Sequence, residues 1–157
     1  MISWCNLSYL KITSDTEPHT AVLKPLPTDT KDEKKDKKKK PYLNKTRVLW
    51  NIDYLGTQYC FVIPKGYRWN GANIPRVVWW LIGSMGEADF LDASMVHDTL
   101  CEDHSLVGYD RQLSSMIFRE ILIASGVSRL KAEIMYKSVD VYQKFFGKDL
   151  NGNRWKD

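Results

Sequence analysis

The spacing of apolar residues changes from strand-like to helical partway along this 157-residue chain, and that change limits the folds it can adopt. From Ile2 to Ile12, and again in segments 47–54 and 58–63, β-branched and aromatic residues alternate with polar ones, which is typical of strands. The last two segments predict a hairpin that turns at residues 55–57. In the last half of the chain, apolar residues recur every three or four positions, as in amphipathic helices. This segregation predicts an α+β fold, in which a small antiparallel N-terminal sheet precedes a C-terminal cluster of three to four helices.

Capping and stop residues place the boundaries of the predicted helices. A short first helix covers Ile74 to Ile82, and a second runs from Ala88 through Cys101. The third lies between an Asp110 cap and Gly126, and the fourth lies between a Ser128 cap and Gly147.

The third and fourth helices each carry an apolar stripe, which we expect to be buried against the second helix and the sheet. The stripe of the third helix comprises Leu113, Met116, Ile117, Phe118, Ile121 and Leu122, and that of the fourth comprises Leu130, Ile134, Val141 and Phe145.

The length and apolar content predict a single domain over residues 1–157, with a C-terminal tail at 148–157. Residues 14–41 interrupt the strand pattern with four prolines and a run of charge. We interpret them as a basic, Pro-containing insertion within the sheet region, formed as a long hairpin or loop.

The basic character of the chain comes from one part of this insertion. Residues 31–40 hold seven lysines and three acids, so the remaining 16 basic and 16 acidic residues cancel. Such a run is either a solvated loop tip or a docking arm for phosphates or an acidic protein surface. No aromatic residues interleave with it, so any binding of nucleic acid is expected to be non-specific. The binding candidates are Lys34, Lys35, Lys37, Lys38, Lys39 and Lys40.

Cysteine usage and hydropathy indicate where the protein is made. Cys5, Cys60 and Cys101 are an odd number without framework spacing, which predicts reduced thiols and no disulfide. The N-terminal residues lack the pattern of a signal peptide, and no apolar run is long enough to span a membrane. We therefore expect synthesis in a cytoplasm and no membrane span.

His97 and Asp98 are the candidate catalytic residues. Adjacent helical positions point about 100° apart, so each side chain needs its own partner. His97 is suited to activating water as a general base, while Asp98 is suited to holding a hard cation such as calcium together with carbonyls of the Gly71-Ala72 turn. A carboxylate on a neighbouring antiparallel helix is expected to orient the His97 ring. This arrangement, over a few residues, resembles the His-Asp helix and upstream calcium loop of secreted phospholipases A2.

A zinc site is the second metal hypothesis for this helix. His97, Cys101 and His104 recur at i, i+4 and i+7, which places three possible zinc ligands on one helical face. However, Asp103-His104-Ser105 has the composition of a loop, so the third ligand is expected to leave the helix. A hydrogen-bonded core histidine is the competing interpretation of His97.

The Trp79-Trp80 pair is a candidate contact site. Paired tryptophans next to Arg76 are found at membrane interfaces, but the apolar run 77–82 is shorter than two helical turns. We favour an arrangement in which one tryptophan packs in the core and the other faces a partner.

The order of these motifs resembles a phage and prophage family, the domain-of-unknown-function family 1353, over about residues 58–147. Tailed phages commonly carry this family, so the resemblance implies a viral origin. It implies no biochemical activity. The motifs that carry it are Pro64-Lys65-Gly66-Tyr67, Asn70-Gly71-Ala72-Asn73-Ile74-Pro75-Arg76, Trp79-Trp80, His97-Asp98 and Ser114-Ser115-Met116-Ile117-Phe118.

The chain departs from the family pattern at positions that matter for charge. The family usually has an acidic residue at the position of Asn70, Ser at Asn73, Tyr at Cys101, and Ala-Asp at Ser114-Ser115. Asparagine and serine form hydrogen bonds but supply no negative charge to hold a cation or an imidazolium. We therefore interpret the His-Asp step as a degenerate site.

Two functions from different classes follow from these observations. The first is a structural or accessory protein of a virion, for example in the tail or neck, made in the host cytoplasm and acting through contacts with other virion proteins in an assembly. It needs no cofactor. The second is a hydrolase of lipid or cell-wall material that uses His97, Asp98 and a calcium or zinc ion.

Overall fold

The computed structural model of this chain describes residues 7–13, 20–22, 24–54, 56–70 and 87–156. It divides into two compact units, residues 1–71 and 72–157. The first unit holds the strands, and the second holds a group of packed helices.

The first unit contains two small antiparallel sheets. One has the order β1-β4-β5, with β1 at Leu7–Thr13, β4 at Val48–Tyr54 and β5 at Thr57–Ile63. The other has the order β2-β3-β6, and its strands are Thr20–Val22, Tyr42–Asn44 and Arg68–Trp69. The predicted hairpin is confirmed as β4-β5, and the predicted strand at Ile2–Ile12 is confirmed from Leu7 onward, while residues 1–6 lie outside the described residues.

Alternate residues of β4 and β5 are buried and form a core in the first unit. Val48, Trp50 and Ile52 are all buried, and they occupy alternate positions of β4. Val48 pairs with Ile63 and Trp50 pairs with Phe61 across the hairpin, so the buried side chains of the two strands meet on one face.

The lysine-rich run of the insertion is a helix, α1 (Lys31–Lys39), which corrects the expectation of a loop. Thr30 and Glu33 form a reciprocal capping box, in which each side chain accepts a hydrogen bond from the other residue's backbone N–H. Acids occupy the first turn and lysines the last, which matches the helix dipole. The helix forms from these local signals, and none of its residues is buried.

The second unit contains three α-helices within residues 87–156. They are α2 (Glu87–Glu102), α3 (Arg111–Ala124) and α4 (Arg129–Phe146), with a 3-10 turn at His104–Val107. The predicted boundaries are confirmed, including the Asp110 and Ser128 caps. The helix predicted at 74–82 lies outside the described residues.

Helix α3 packs against both α2 and α4. Its predicted apolar stripe is confirmed, since all six residues are buried. The stripe predicted for α4 is wrong: Leu130, Val141 and Phe145 are 72%, 55% and 60% exposed. The buried face of α4 is instead formed by Ala132, Met135, Val139 and Gln143.

Polar partners explain why α4 has this rotation. Asp140 and Glu133 form ion pairs with two buried arginines of α3, Arg111 and Arg119. These acids lie on the side of α4 near its small buried face, so satisfying the arginines turns the larger apolar stripe outward.

Residues 148–156, expected as a tail, pack against the helices. Trp155 stacks on the His104 ring with centroids 3.5 Å apart, and its Nε1 donates to Gln143 Oε1 at 3.2 Å. Lys156 forms a parallel bridge with Asp110 just before α3. In the described part of the chain, no helix is long and apolar enough to cross a membrane, and Cys60 and Cys101 are free thiols.

Candidate functional site

His97 lies in the interior of the second unit. Its side chain is 1% exposed, and its ring packs at 5.0 Å from the ring of Phe118 on α3. Among the described residues its polar contact is the Cys101 sulfur, 3.7 and 3.8 Å from the two ring nitrogens, and no carboxylate bonds to it. Burial lowers the pKa of His97 from 6.5 to about 4. The ring is therefore neutral near pH 7, and the expected orienting carboxylate is not in contact with it.

The neighbouring groups on α2 do not activate this histidine. Burial raises the pKa of the Cys101 thiol well above its ordinary value, and Asp98 and Glu102 raise it further. A neutral thiol beside a neutral imidazole is the opposite of a reactive cysteine-histidine pair, in which the thiol pKa is lowered. Asp98 is 8% exposed and has interactions of its own. Under the catalytic hypothesis, water would have to reach a histidine that is enclosed by side chains.

The three candidate zinc ligands, His97, Cys101 and His104, are not arranged around a common point. Helix α2 ends at Glu102, and His104 belongs to the following 3-10 turn, where its ring stacks on Trp155. Burial lowers the pKa of His104, although Asp149, Asp103 and a hydrogen bond with the Cys101 backbone oppose this. Within the described ranges, no group of three His, Cys, Asp or Glu side chains is arranged to hold a metal ion.

A buried polar seam between α3 and α4 is the feature that the sequence analysis missed. On α3, Arg111 and Ser115 meet Asp140 of α4: Arg111 forms an ion pair with it, and the Ser115 hydroxyl donates to Asp140 Oδ1 at 3.2 Å. One turn farther along α3, Arg119 bonds Glu133 at 3.3 Å.

Aromatic contact extends the seam. The Arg119 guanidinium lies 4.9 Å from the centre of the Tyr136 ring. Burial raises the pKa of Tyr136, and Asp140 raises it further. The spacing of 111, 115 and 119 at four-residue steps was the available signal, because it puts three polar residues on one face of a helix that is otherwise apolar there.

The seam also shows what replaces the acid expected at position 115. Ser115 is fully buried, and its hydroxyl faces the carboxylate of Asp140. A second carboxylate there would lie against Asp140 and repel it, whereas a hydroxyl donates a hydrogen bond. Ser115 therefore joins α3 to α4, and it supplies no charge to His97.

The contact candidates fall into two groups. Trp79 and Trp80 lie outside the described residues. Of the candidate lysines, Lys35, Lys38 and Lys39 are exposed on α1. Lys37 pairs with Asp29 at 2.8 Å, Lys34 donates to the Pro27 carbonyl, and the carbonyl of Lys40 accepts from Arg68.

Comparison with known proteins supports the family resemblance. A family model described as "Protein of unknown function (DUF1353)" matches residues 46–139, which is more than half of the chain. The chain is similar to two uncharacterised proteins of Sinorhizobium fredii: y4jT, 38% identical over 80 residues, and y4iH, 24% identical over 90 residues. These matches cover 51% and 57% of this chain but only 23% and 36% of the two relatives, and no solved structure matches at a significant level. The chain therefore belongs to the DUF1353 family of proteins of unknown function.

Proposed function

We propose that this chain is a structural or accessory component of a phage particle, and that it acts through contacts with neighbouring subunits rather than through turnover. The observation that carries the proposal is the environment of His97: its ring is 1% exposed and neutral, and it packs against Phe118 and Cys101. A histidine in this setting stabilises a core. The phage setting comes from the family resemblance.

Two surfaces support a role in contacts. The first is α1, which buries none of its residues and presents exposed lysines that suit an acidic partner surface. The second is the outer stripe of α4, formed by Leu130, Val141 and Phe145, which are more than half exposed. Large apolar side chains exposed along one helix face are available for burial against a partner.

The decisive experiment is mass spectrometry of purified particles together with lysine labelling. We expect the protein in intact particles at a fixed stoichiometry, with lysines 34–40 protected from acylation there but reactive in the isolated protein. Lys65, which is exposed in the turn after β5 and lies outside both surfaces, provides a comparison within the same chain. Absence from the particles, or equal labelling of α1 in both states, would defeat the proposal and favour the hydrolase.

A His97→Ala variant separates the proposal from the cation-dependent hydrolase. We expect a loss of about 2 kcal/mol in the free energy of unfolding, because the substitution leaves a cavity beside Phe118. The hydrolase hypothesis expects the reverse: unchanged stability, with loss of a calcium-dependent or zinc-dependent hydrolysis that the parent protein shows.

A further inference from the structure

A cleft of about 490 Å³ opens in the second unit, where three segments of the chain meet. Its volume falls within the range of small-molecule sites in proteins. Within the second unit, neither His97 nor the outer stripe of α4 lines it. The lining residues are Gly108, Tyr109, Asp110, Arg111, Gln112, Lys144 and Lys156.

The charges around this cleft are mostly positive and incompletely paired. Its one carboxylate, Asp110, accepts a hydrogen bond from the Leu113 N–H as the cap of α3. Arg111 is committed to Asp140. Within the described residues, Lys144 has no hydrogen bond or ion pair, and the Lys156 ammonium contacts only the ring of Tyr109, at 4.7 Å from its centre.

The backbone at Tyr109 is held in an unfavourable conformation. Its φ is 65°, in the left-handed region that side chains other than glycine rarely adopt, and it follows Gly108 with φ 62°. Two backbone hydrogen bonds hold it there, from Tyr109 N to His104 O at 2.8 Å and from Lys156 N to Tyr109 O at 3.1 Å. Strain of this kind clusters at ligand sites. Here it places an aromatic ring and an ammonium group side by side in the lining.

We propose that this cleft binds a small phosphomonoester with an aromatic body. The phosphate lies between the ammonium groups of Lys144 and Lys156, and the body packs against Tyr109. Two ammonium groups without carboxylate partners in one cleft are best neutralised by a dianion, which favours phosphate over a single carboxylate. A ring on the ligand gains contact with the tyrosine ring.

Calorimetric titration of the full chain with phenyl phosphate tests the proposal. Lys144→Gln and Lys156→Gln should each weaken the affinity about tenfold, the size expected for losing a hydrogen bond to a charged group. The matched control is Lys137→Gln on the same helix, outside the cleft, which should change the affinity less than about twofold. All three variants retain α1, so any non-specific binding to its lysines is common to them.

Two other ligands test which part of phenyl phosphate the cleft recognises. Inorganic phosphate should bind about threefold more weakly than phenyl phosphate, because it lacks the ring. Benzoate, which keeps the ring but carries a single charge, should bind at least about fivefold more weakly. Unchanged thermal midpoints in the variants would show that they fold.

Three results would overturn the proposal. They are the absence of saturable binding of phenyl phosphate, an equal loss of affinity in Lys137→Gln, and benzoate binding as tightly as phenyl phosphate. None of them bears on the contact role proposed above, because the titration uses the isolated protein and reports on a cleft that neither contact surface lines.

Discussion

Helices α1 and α3 form for opposite reasons. Helix α1 has nine residues and buries none of them, whereas α3 buries ten of its 14. The first is held by the capping box of Thr30, by charges that match the helix dipole, and by the pair between Lys37 and Asp29. The second is held by apolar packing and by the ion pairs of its buried arginines.

This difference predicts whether a substitution changes stability locally or throughout a unit. Signals that act within a few residues stabilise a helix without linking it to the rest of the protein, so changes in α1 should remain local. Packing links a helix to its neighbours, so changes in α3 or its partners should reduce the stability of the whole second unit.

The largest effect is expected for Asp140→Ala. It removes the carboxylate that pairs with Arg111 and accepts from Ser115, and so takes the neutralising charge away from a buried guanidinium. We expect a loss of about 3 kcal/mol in the free energy of unfolding, measured by denaturant titration. Lys137→Ala, which breaks an exposed pair on the same helix, should cost less than about 0.5 kcal/mol. Equal costs would contradict the view that tertiary contacts stabilise α3.

The next effect concerns pH. The folded-state pKa of His97 is about 4, below the unfolded value of 6.5, so the unfolded chain binds the proton more readily. The stabilisation that comes from burying the neutral His97 ring is fully present above pH 6.5 and is lost as the pH falls toward 4. Between pH 7 and pH 5, we expect a loss of about 2 kcal/mol.

A His97→Gln variant checks this assignment. Its free energy of unfolding should fall less steeply over the same pH interval, with a remaining slope from His104, whose pKa is also lowered. An unchanged slope in the variant would show that the histidine is not buried in solution.

Helix α1 should keep its helicity at pH 5, because the backbone N–H of Leu26 and the ammonium of Lys37 hold the pKa of Asp29 below its ordinary value.

A smaller and purely local effect is expected for Thr30→Ala. Loss of the cap should destabilise α1 by about 1 kcal/mol, seen as faster hydrogen exchange at residues 31–39, without a change in the global midpoint. The matched variant is Ser128→Ala at the cap of α4. Since α4 is packed, that loss should lower the global midpoint as well. If both variants behave alike, the contrast between the two kinds of helix fails.

The smallest effect on global stability is expected from deleting Asp29 to Lys40. The segment contains no buried side chain of α1, and its ion pair between Lys37 and Asp29 is internal to the deleted stretch, although the bond from Arg68 to the Lys40 carbonyl is lost. The thermal midpoint should be nearly unchanged. A loss of more than about 2 kcal/mol would mean that the segment packs against the remainder of the protein.

The sequence was informative wherever the signal is local. The Asp110 and Ser128 caps and the apolar periods between them predict α3 and α4, and alternation predicts the β4-β5 hairpin. The helix at α1 also has a local signal, the Thr30 and Glu33 capping box, although the charge of the run by itself favours a solvated loop.

The candidate site was less predictable. The sequence identifies His97 and Asp98 as a pair of interest, but exposure decides what such a pair can do, and exposure depends on elements far along the chain. Phe118 of another helix packs against the His97 ring, and Asp140, 25 residues from Ser115, supplies the carboxylate that faces that serine. Such contacts leave no pattern in the spacing of nearby residues.

The buried and exposed faces of α4 show what the sequence determined and what the tertiary structure determined. The sequence by itself determined that residues 129–146 form a helix, because caps and helical periodicity act within a few residues. It predicted the wrong face for the core, since Leu130, Val141 and Phe145 have the larger side chains and still lie outside. Only the tertiary structure decided this, because the carboxylates of α4 that meet buried Arg111 and Arg119 lie beside the smaller buried face, and separating a buried guanidinium from its carboxylate is costly.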